Sequence, residues 1–275
     1  MPAILWVAWK TSIGDPCVAW IRRLAYMSGH SKWASIKHKK AIVDSRRGAQ
    51  FSKLARAIMV AARDGGGDPV GNPALDLAIR KAKESSMPKE NIERAIAKGT
   101  GEGGEAEAIE AVLYEGYGPG GVAVLVQALT DNRNRTGADV RHAFSKHGGN
   151  LGEPGSVAYL FEKKGTIVID AERYSEDDLM VAVEAGAEDI VTDDDVFEVI
   201  AEPADFAAVR KALEDAGVEM ESAEMVYRPS SVVPVDEGQA GKLMRLIESL
   251  EDSDDVSAVH ANFDVAADVL ERVAG

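Results

Sequence analysis

The chain has 275 residues, and its 45% hydrophobic content is enough for a buried core divided over two or three domains. A formal charge of -15 argues at first against a nucleic-acid partner, because two polyanions repel each other. One cysteine excludes an intramolecular disulfide framework, and the sequence has no run of 18 apolar residues to cross a membrane. These features predict a cytoplasmic protein without a membrane partner.

The negative charge is distributed unevenly along the chain. Residues 27–63 hold nine Lys or Arg and a single acidic residue, Asp44, whereas residues 101–275 hold 13 Lys or Arg and 38 Asp or Glu. Helical faces that only meet solvent usually carry both signs. The asymmetry therefore predicts a basic module that contacts phosphates and an acidic body that carries it.

The first 26 residues are apolar and poor in acids, but Lys10, Asp15, Arg22 and Arg23 interrupt them, so they do not have the pattern of a secretory signal. We interpret residues 1–26 as a leader, or as an upstream extension of a chain whose translation starts at Met27. We expect the folded protein to begin after them.

Residues 27–100 have the apolar spacing of helices. Trp33, Ile36, Phe51, Leu54 and Ile58 recur at three- and four-residue intervals, and further helical patterns follow over 72–85 and from Pro88 onward. This pattern predicts a basic helical bundle domain over 27–100. The run Gly99–Glu105 is rich in glycine and is typical of a linker.

Beyond the linker the pattern changes to that of strands. Ala111–Tyr117 and Val122–Leu129 flank Gly118–Gly121, which predicts a hairpin, and a helix ending at Gly148 and Gly149 follows. A strand is then expected over Ser156–Phe161.

From Gly165 to Ala223 the expected elements run β-α-β-β-α-β, which is the order of a ferredoxin-like unit. Separate strands are expected over Val218–Ala223 and Met225–Arg228, and a last helix and strand follow. The prediction is an α+β protein in which the basic helical domain precedes two α/β domains of ferredoxin-like type. One is discontinuous, over 106–163 and 224–275, and the other, over 164–223, is inserted in it.

The candidate nucleic-acid contacts are cations of the basic module, supported by one indole and one imidazole. Lys and Arg on a helix release counterions from phosphates, and an indole can stack on a base or pack in a core. These candidates are Lys32, Trp33, Lys37, His38, Lys39, Lys40, Arg46, Arg47, Lys53 and Arg56.

A second candidate contact lies at the strand-to-helix junction Asp131–Thr136. Arg133 and Arg135 stand there beside free backbone N–H groups of a helix start, which attract anions. Equally, the segment can be a capped helix start with exposed arginines. Thr136 and Asp139 have the spacing of a capping box.

Other motifs do not predict chemistry. Gly116–Gly121 satisfies G-x-G-x-x-G, but a strand follows it, so a hairpin is favoured over a dinucleotide site. The acidic runs Asp193–Asp195 and Asp252–Asp255 lack the remaining ligands of a calcium loop, and we interpret them as solvated turns. No arrangement of residues indicates a catalytic, metal, cofactor or small-molecule site, so the chain is not expected to be an enzyme.

Six motifs resemble, in the same order, the YebC/PmpR family, whose members include bacterial probable transcriptional regulators and a mitochondrial translational activator of cytochrome oxidase. The matching segments are Met27–Lys40, Phe51–Leu54, Tyr114–Gly121, Asp131–Thr136, Val140–Gly149 and Gly155–Tyr159. The resemblance implies a helical first domain, two domains of ferredoxin-like topology and a non-catalytic role in gene expression. It leaves the nucleic acid open, since the family has been linked both to promoter DNA and to the ribosome.

The expected function is therefore that of a DNA-binding transcriptional regulator. The alternative is a translation factor that binds ribosomal RNA through the same helices and uses Tyr117, or Arg133 and Arg135, near a functional centre.

Overall fold

The computed structural model describes residues 47–102, 109–193 and 195–266, together with residues 269 and 272. Within them a helical unit precedes two four-stranded antiparallel sheets, each packed against helices. The α+β class predicted from the sequence is confirmed. No helix in this part of the chain combines the length and the apolar composition needed to cross a bilayer.

The described α-helices, in chain order, are α1 (Arg47–Gly65), α2 (Pro73–Glu84), α3 (Lys89–Thr100), α4 (Arg133–Lys146), α5 (Met180–Glu184), α6 (Phe206–Asp215) and α7 (Glu237–Glu251). The described strands are β1 (Glu110–Tyr117), β2 (Ala123–Thr130), β3 (Asn150–Leu151), β4 (Phe161–Asp170), β5 (Ala187–Asp193), β6 (Val196–Ala201), β7 (Ser222–Pro229), β8 (Val233–Pro234), β9 (Val256–Ala261) and β10 (Phe263–Asp264).

The helical unit is formed by α1, α2 and α3 around an apolar core that includes Ile58, Leu75 and Ile92. Helix α2 begins where its sequence predicts, because the Asn72 side chain accepts a hydrogen bond from the Leu75 N–H and a proline occupies the first helical position. Helix α3 ends at a glycine in the left-handed conformation, Gly101 with φ 79°.

The first sheet has the strand order β3-β1-β2-β9. Strands β1 and β2 form the predicted hairpin, in register from Glu110 opposite Thr130 to Tyr117 opposite Ala123. Strand β9 pairs antiparallel with the other edge of β2, so this sheet joins two parts of the chain that are far apart in sequence. Helices α4 and α7 cover one face, and the core between helices and sheet contains Phe144.

The second sheet has the order β5-β6-β4-β7, with every neighbouring pair antiparallel. Its four strands and the helices α5 and α6 follow one another in the predicted order β-α-β-β-α-β. The separate strands predicted over Val218–Ala223 and Met225–Arg228 are one strand, β7. It pairs without interruption along β4, because no turn residue separates the two halves and each of its residues lies opposite a residue of β4.

The strand predicted over Ser156–Phe161 is also wrong for most of its length. A single 3-10 turn occupies Ala158–Leu160, and β4 starts only at Phe161. The reason is the buried carboxylate of Glu115, which accepts hydrogen bonds from the N–H groups of Val157 and Ala158 at 2.7 Å each. These donors are therefore not available to a strand ladder.

Helix α2 contacts the second sheet unit through ion pairs. Arg210 on α6 lies 2.8 Å from Asp76, and Arg80 lies 2.9 Å from Glu214. Lys81 lies 2.6 Å from Glu224 on β7. The helical unit is thus held against the acidic body partly by complementary charge.

A glycine allows α3 to pack closely on α1. A Cβ atom at Gly99 would lie 2.4 Å from the Met59 carbonyl oxygen and 2.9 Å from the Ala62 Cβ. We expect Gly99→Ala to lower the free energy of unfolding by about 1 to 3 kcal/mol, because the methyl group forces the two helices apart. Gly48→Ala is the matched control, since among the described residues a Cβ atom at Gly48 would have no atom within 4 Å beyond its own helix backbone. Urea denaturation followed by circular dichroism measures both variants, and equal midpoints would contradict the packing argument.

Candidate nucleic-acid interface

Most of the basic segment lies outside the described residues. This applies to Lys32, Trp33, Lys37, His38, Lys39, Lys40 and Arg46, while Arg47 is the first residue of α1. The structure therefore gives positions for four predicted contact side chains: Lys53, Arg56, Arg133 and Arg135.

Two of these cations, Lys53 and Arg56 on α1, are directed at the turn between α7 and β9. The Lys53 amino group donates to the Glu251 carbonyl oxygen. One guanidinium nitrogen of Arg56 donates to the Asp254 carbonyl oxygen at 2.7 Å and to the Asp255 carboxylate at 2.8 Å. These contacts attach the helical unit to the first sheet.

The junction between β2 and α4 is a capped helix start. Helix α4 begins at Arg133, and the Asn132 side chain accepts a hydrogen bond from the Arg135 N–H at 3.1 Å. The capping box predicted from Thr136 is therefore wrong. Asn132 lies four residues earlier than Thr136 and has a non-helical backbone, so it is the residue whose side chain can reach the free N–H groups.

The Thr136 hydroxyl has a different partner. It lies inside the helix, is fully buried, and donates to the carboxylate of Asp255 at 2.6 Å. The Arg135 guanidinium donates to the same carboxylate at 2.8 Å and to Asp131 at 2.7 Å. One acidic side chain thus binds both the first turn of α4 and, through Arg56, helix α1.

Asp255 was interpreted from the sequence as part of a solvated turn, and the structure shows that this is wrong. Its side chain is 7% exposed, whereas Asp252 and Asp254 of the same run are exposed. Burial acts to raise the pKa of Asp255, but the Thr136 hydroxyl and the Arg135 and Arg56 guanidinium groups outweigh it and hold the pKa below the usual value. Asp255 is therefore an anion in the folded protein.

The structure brings Arg56 and Arg135 together at Asp255, although 79 residues separate them in the sequence. A phosphate that binds either guanidinium has to compete with this carboxylate.

Arg133 differs, because it is exposed and has no carboxylate within 4 Å among the described residues. Its backbone carbonyl accepts from the Tyr114 hydroxyl at 3.0 Å. Of the two arginines predicted at this junction, Arg133 is the one whose charge is available to an anion.

Two tyrosines, one at the end of the hairpin strand β1 and one in the loop before β4, are exposed where a ligand can reach them. Tyr117, at the end of β1, is 39% exposed and donates from its hydroxyl to the Ser156 carbonyl oxygen at 3.0 Å. Tyr159, in the 3-10 turn of the loop that contains Ser156, is 71% exposed.

The loop between β3 and β4 is held by Glu115, since its carboxylate accepts hydrogen bonds from the Gly155, Val157 and Ala158 N–H groups. Burial acts to raise the pKa of Glu115, and these three donors outweigh it and lower the pKa.

A small polar pocket lies on the second sheet, away from the cations of α1 and α4. Its volume is about 200 Å³, and Lys164 and Arg228 are among the residues that line it. Both cations are neutralised there, Lys164 by Glu188 at 2.6 Å and Arg228 by Glu198 at 3.0 Å. The pocket is smaller than the roughly 300 to 1,000 Å³ of most ligand sites, so its size does not favour a small-molecule site.

Two family models together match most of the chain. The model described as the TACO1/YebC protein N-terminal domain matches residues 31–102, and the model described as the TACO1/YebC second and third domain matches residues 109–263. These two matches correspond to the helical unit and to the two sheet units.

Curated relatives and a solved structure are similar over nearly their whole length. A protein of Rubrobacter xylanophilus named "Probable transcriptional regulatory protein" is 56% identical over 250 residues, which is 90% of this chain and 100% of the relative. A protein of Mycobacterium tuberculosis with the same name is 55% identical over 89% of this chain and 98% of its own. The crystal structure of a conserved hypothetical protein from Aquifex aeolicus is 52% identical, with a TM-score of 0.77, over 85% of this chain and 97% of that one.

Asp255→Asn tests the role of the buried carboxylate. We expect it to lower the free energy of unfolding by about 2 to 4 kcal/mol at neutral pH, because Arg56, Arg135 and Thr136 lose a shared charged acceptor. Because the folded pKa is lowered, this stabilisation is complete above the unfolded value of about 3.9 and is lost as the pH falls through the folded pKa. Urea denaturation at pH 7 and in acid should show a difference from the unmodified chain that shrinks in acid.

Asp131→Asn is the control for this substitution. It removes a carboxylate that binds the same Arg135 but is itself exposed, so the urea midpoint should not change. A midpoint for Asp255→Asn equal to that of Asp131→Asn would show that the buried carboxylate does not hold the two units together.

Proposed function

This chain belongs to the TACO1/YebC family, and we propose that it is a cytoplasmic, non-catalytic regulator of gene expression that acts by binding nucleic acid. The observation that carries the proposal is the segregation of charge. Residues 27–63 hold nine cations against one acid, in a chain whose formal charge is -15. A local positive field binds a polyanion even where the net charge is negative. The reason is that salt largely screens charges that lie more than about 10 Å away, so the nearby cations dominate.

The acidic body is compatible with this role. The 38 acidic residues beyond position 100 repel phosphates, so they orient the basic segment toward a nucleic acid and oppose non-specific wrapping. Such an arrangement favours one docking orientation over non-specific adhesion.

The leading candidate partner is DNA, and the activity is transcriptional regulation. Its support comes from the names of the relatives in Rubrobacter xylanophilus and Mycobacterium tuberculosis, both "Probable transcriptional regulatory protein". In this proposal Lys32, Lys37, Lys39, Lys40, Arg46 and Arg47 contact phosphates, with Trp33 and His38 supporting them. Three further cations, Lys53, Arg56 and Arg135, contact phosphate in this proposal only where the phosphate displaces their intramolecular acceptors.

A second candidate is a translation factor that binds ribosomal RNA. The exposed Tyr117 and Tyr159 favour it, because sequence-specific RNA recognition stacks unpaired bases on aromatic side chains. Arg133, close to Tyr114 and without a carboxylate partner among the described residues, would supply a backbone contact on the same unit.

Charge reversal in the basic segment tests the proposal. We expect Lys39→Glu/Lys40→Glu to weaken binding of the full chain to duplex DNA or ribosomes. The slope of log affinity against log salt should fall in magnitude by about 2, because two phosphate contacts are lost. Lys163→Glu/Lys211→Glu is the control, since it changes the net charge equally at exposed positions of the second sheet unit.

The two candidate partners are separated by sedimentation and gel shift. A ribosome factor should travel with the ribosomal fractions of a lysate through sucrose at moderate salt, whereas a promoter regulator should stay at the top and retard duplex DNA in a gel. Absence of binding to DNA, RNA and ribosomes in dilute buffer would overturn the proposed function.

A further inference from the structure

The acidic body has its own cations, and they fall into two groups. Of the 13 Lys and Arg beyond position 100, seven lie within 4 Å of a carboxylate: Arg135, Lys164, Arg173, Arg210, Lys211, Arg228 and Arg272. The other six have no such partner among the described residues: Arg133, Arg141, Lys146, Lys163, Lys242 and Arg245. Five of these six are on α4 and α7, so the uncompensated positive charge is concentrated on two helices of one unit.

The two helices lie side by side on the first sheet and share its core. The buried side chains of this core include Val140 and Phe144 of α4 and Leu243 and Ile247 of α7. Burial of these faces leaves the polar faces in solvent, and Arg141, Lys146, Lys242 and Arg245 are all exposed. We name the surface made by these four residues the α4–α7 face.

The cations of the two helices act on a common group, the imidazole of His147 at the end of α4. Burial lowers the pKa of His147, and the positive charges of Lys146 on α4 and Arg245 on α7 lower it further, together with that of His142. Lys146 and Arg245 therefore both act on the same ring, although they belong to different helices.

Three acids are exposed on the same helices: Asp139 on α4, and Glu237 and Glu248 on α7. Glu237 pairs with Arg272, and none of the three is within 4 Å of these cations. A face exposed only to water usually alternates the two signs, as α6 does in pairing Lys211 with Asp215 at 2.6 Å. Uncompensated like charges on neighbouring helices repel one another. An anion that binds between them relieves that repulsion.

We propose that the α4–α7 face is a second contact surface for the phosphodiester backbone of a nucleic acid, used together with the basic segment around Lys39 and Lys40. The inference rests on the proposed function and adds to it a defined surface on the first sheet unit. Lys and Arg are the side chains that bind phosphate, Arg through a bidentate fork and Lys as a point charge. A second surface that binds phosphate allows an acidic protein to hold a polyanion at more than one point.

The test compares two double charge reversals in the full chain. Lys146→Glu/Arg245→Glu removes the two cations of the α4–α7 face that act on His147, and Lys163→Glu/Lys211→Glu changes the net charge equally at exposed positions elsewhere. The probes are a duplex DNA, a duplex RNA of the same sequence and vesicles of anionic phospholipid, each titrated between about 50 and 200 mM salt. We expect Lys146→Glu/Arg245→Glu to bind at least one duplex about tenfold more weakly, with a salt slope smaller by about 2, while the control changes little.

The outcomes separate this inference from the proposed function. If the unmodified chain binds a duplex and Lys146→Glu/Arg245→Glu binds it as the control does, the α4–α7 face is not a contact surface, and the proposed function stands. If the unmodified chain binds neither duplex, the inference fails, and the proposed function fails with it if ribosomes are not bound either. Loss of vesicle binding alone would assign the face to a membrane surface and overturn the inference.

A second pair of substitutions distinguishes a loss of binding from a loss of stability. Arg141→Glu/Lys242→Glu is to be measured if the urea midpoint of Lys146→Glu/Arg245→Glu differs from that of the control. It should weaken duplex binding in the same way, and binding equal to that of the control would contradict the proposal.

Discussion

The buried carboxylate of Asp255 is the interaction on which the arrangement of the first two units depends. It accepts hydrogen bonds from Arg56 on α1, from Arg135 in the first turn of α4 and from the Thr136 hydroxyl, and so it ties the helical unit to the first sheet. A charge at 7% exposure is costly unless its partners replace the lost water. Here two guanidinium groups and a hydroxyl do so, and the lowered pKa shows that they outweigh the effect of burial.

This constraint changes how the cations of the chain are to be understood. Some of them belong to the fold, because Arg56 and Arg210 join different units through carboxylates in distant parts of the sequence. Arg135 likewise joins α4 to Asp255 within the first sheet unit. Others, on α4 and α7, have no such partner among the described residues. A count of Lys and Arg along the sequence does not distinguish the two kinds. The distinction matters for function, since only a cation without an internal acceptor binds phosphate without first breaking a contact.

Sequence pattern predicted the elements better than their ends. The hairpin around Gly118–Gly121 was predictable because β-rich segments flank a glycine and proline turn, and the cap at Asn72 because it precedes a proline at the helix start. The end of the loop before β4 was not predictable, because Glu115, about 40 residues away, takes the N–H groups of Val157 and Ala158. The α4 cap was assigned to Thr136 for a similar reason, since the sequence contains no sign that its hydroxyl serves Asp255.

The sequence by itself determined the α+β class, the order of helices and strands, the segregation of charge and the family. These properties follow from local composition, from the periodicity of apolar residues and from motifs that need no neighbour to be recognised. Only the tertiary structure decided which charges are available. In the sequence Asp255 has the pattern of a solvated turn, and only the fold places it between α1 and α4. Lys146 and Arg245 act on the same imidazole only because α4 and α7 pack on the same sheet. The physical reason is that ion pairing and burial depend on distances in space, and residues that are far apart along the chain set those distances.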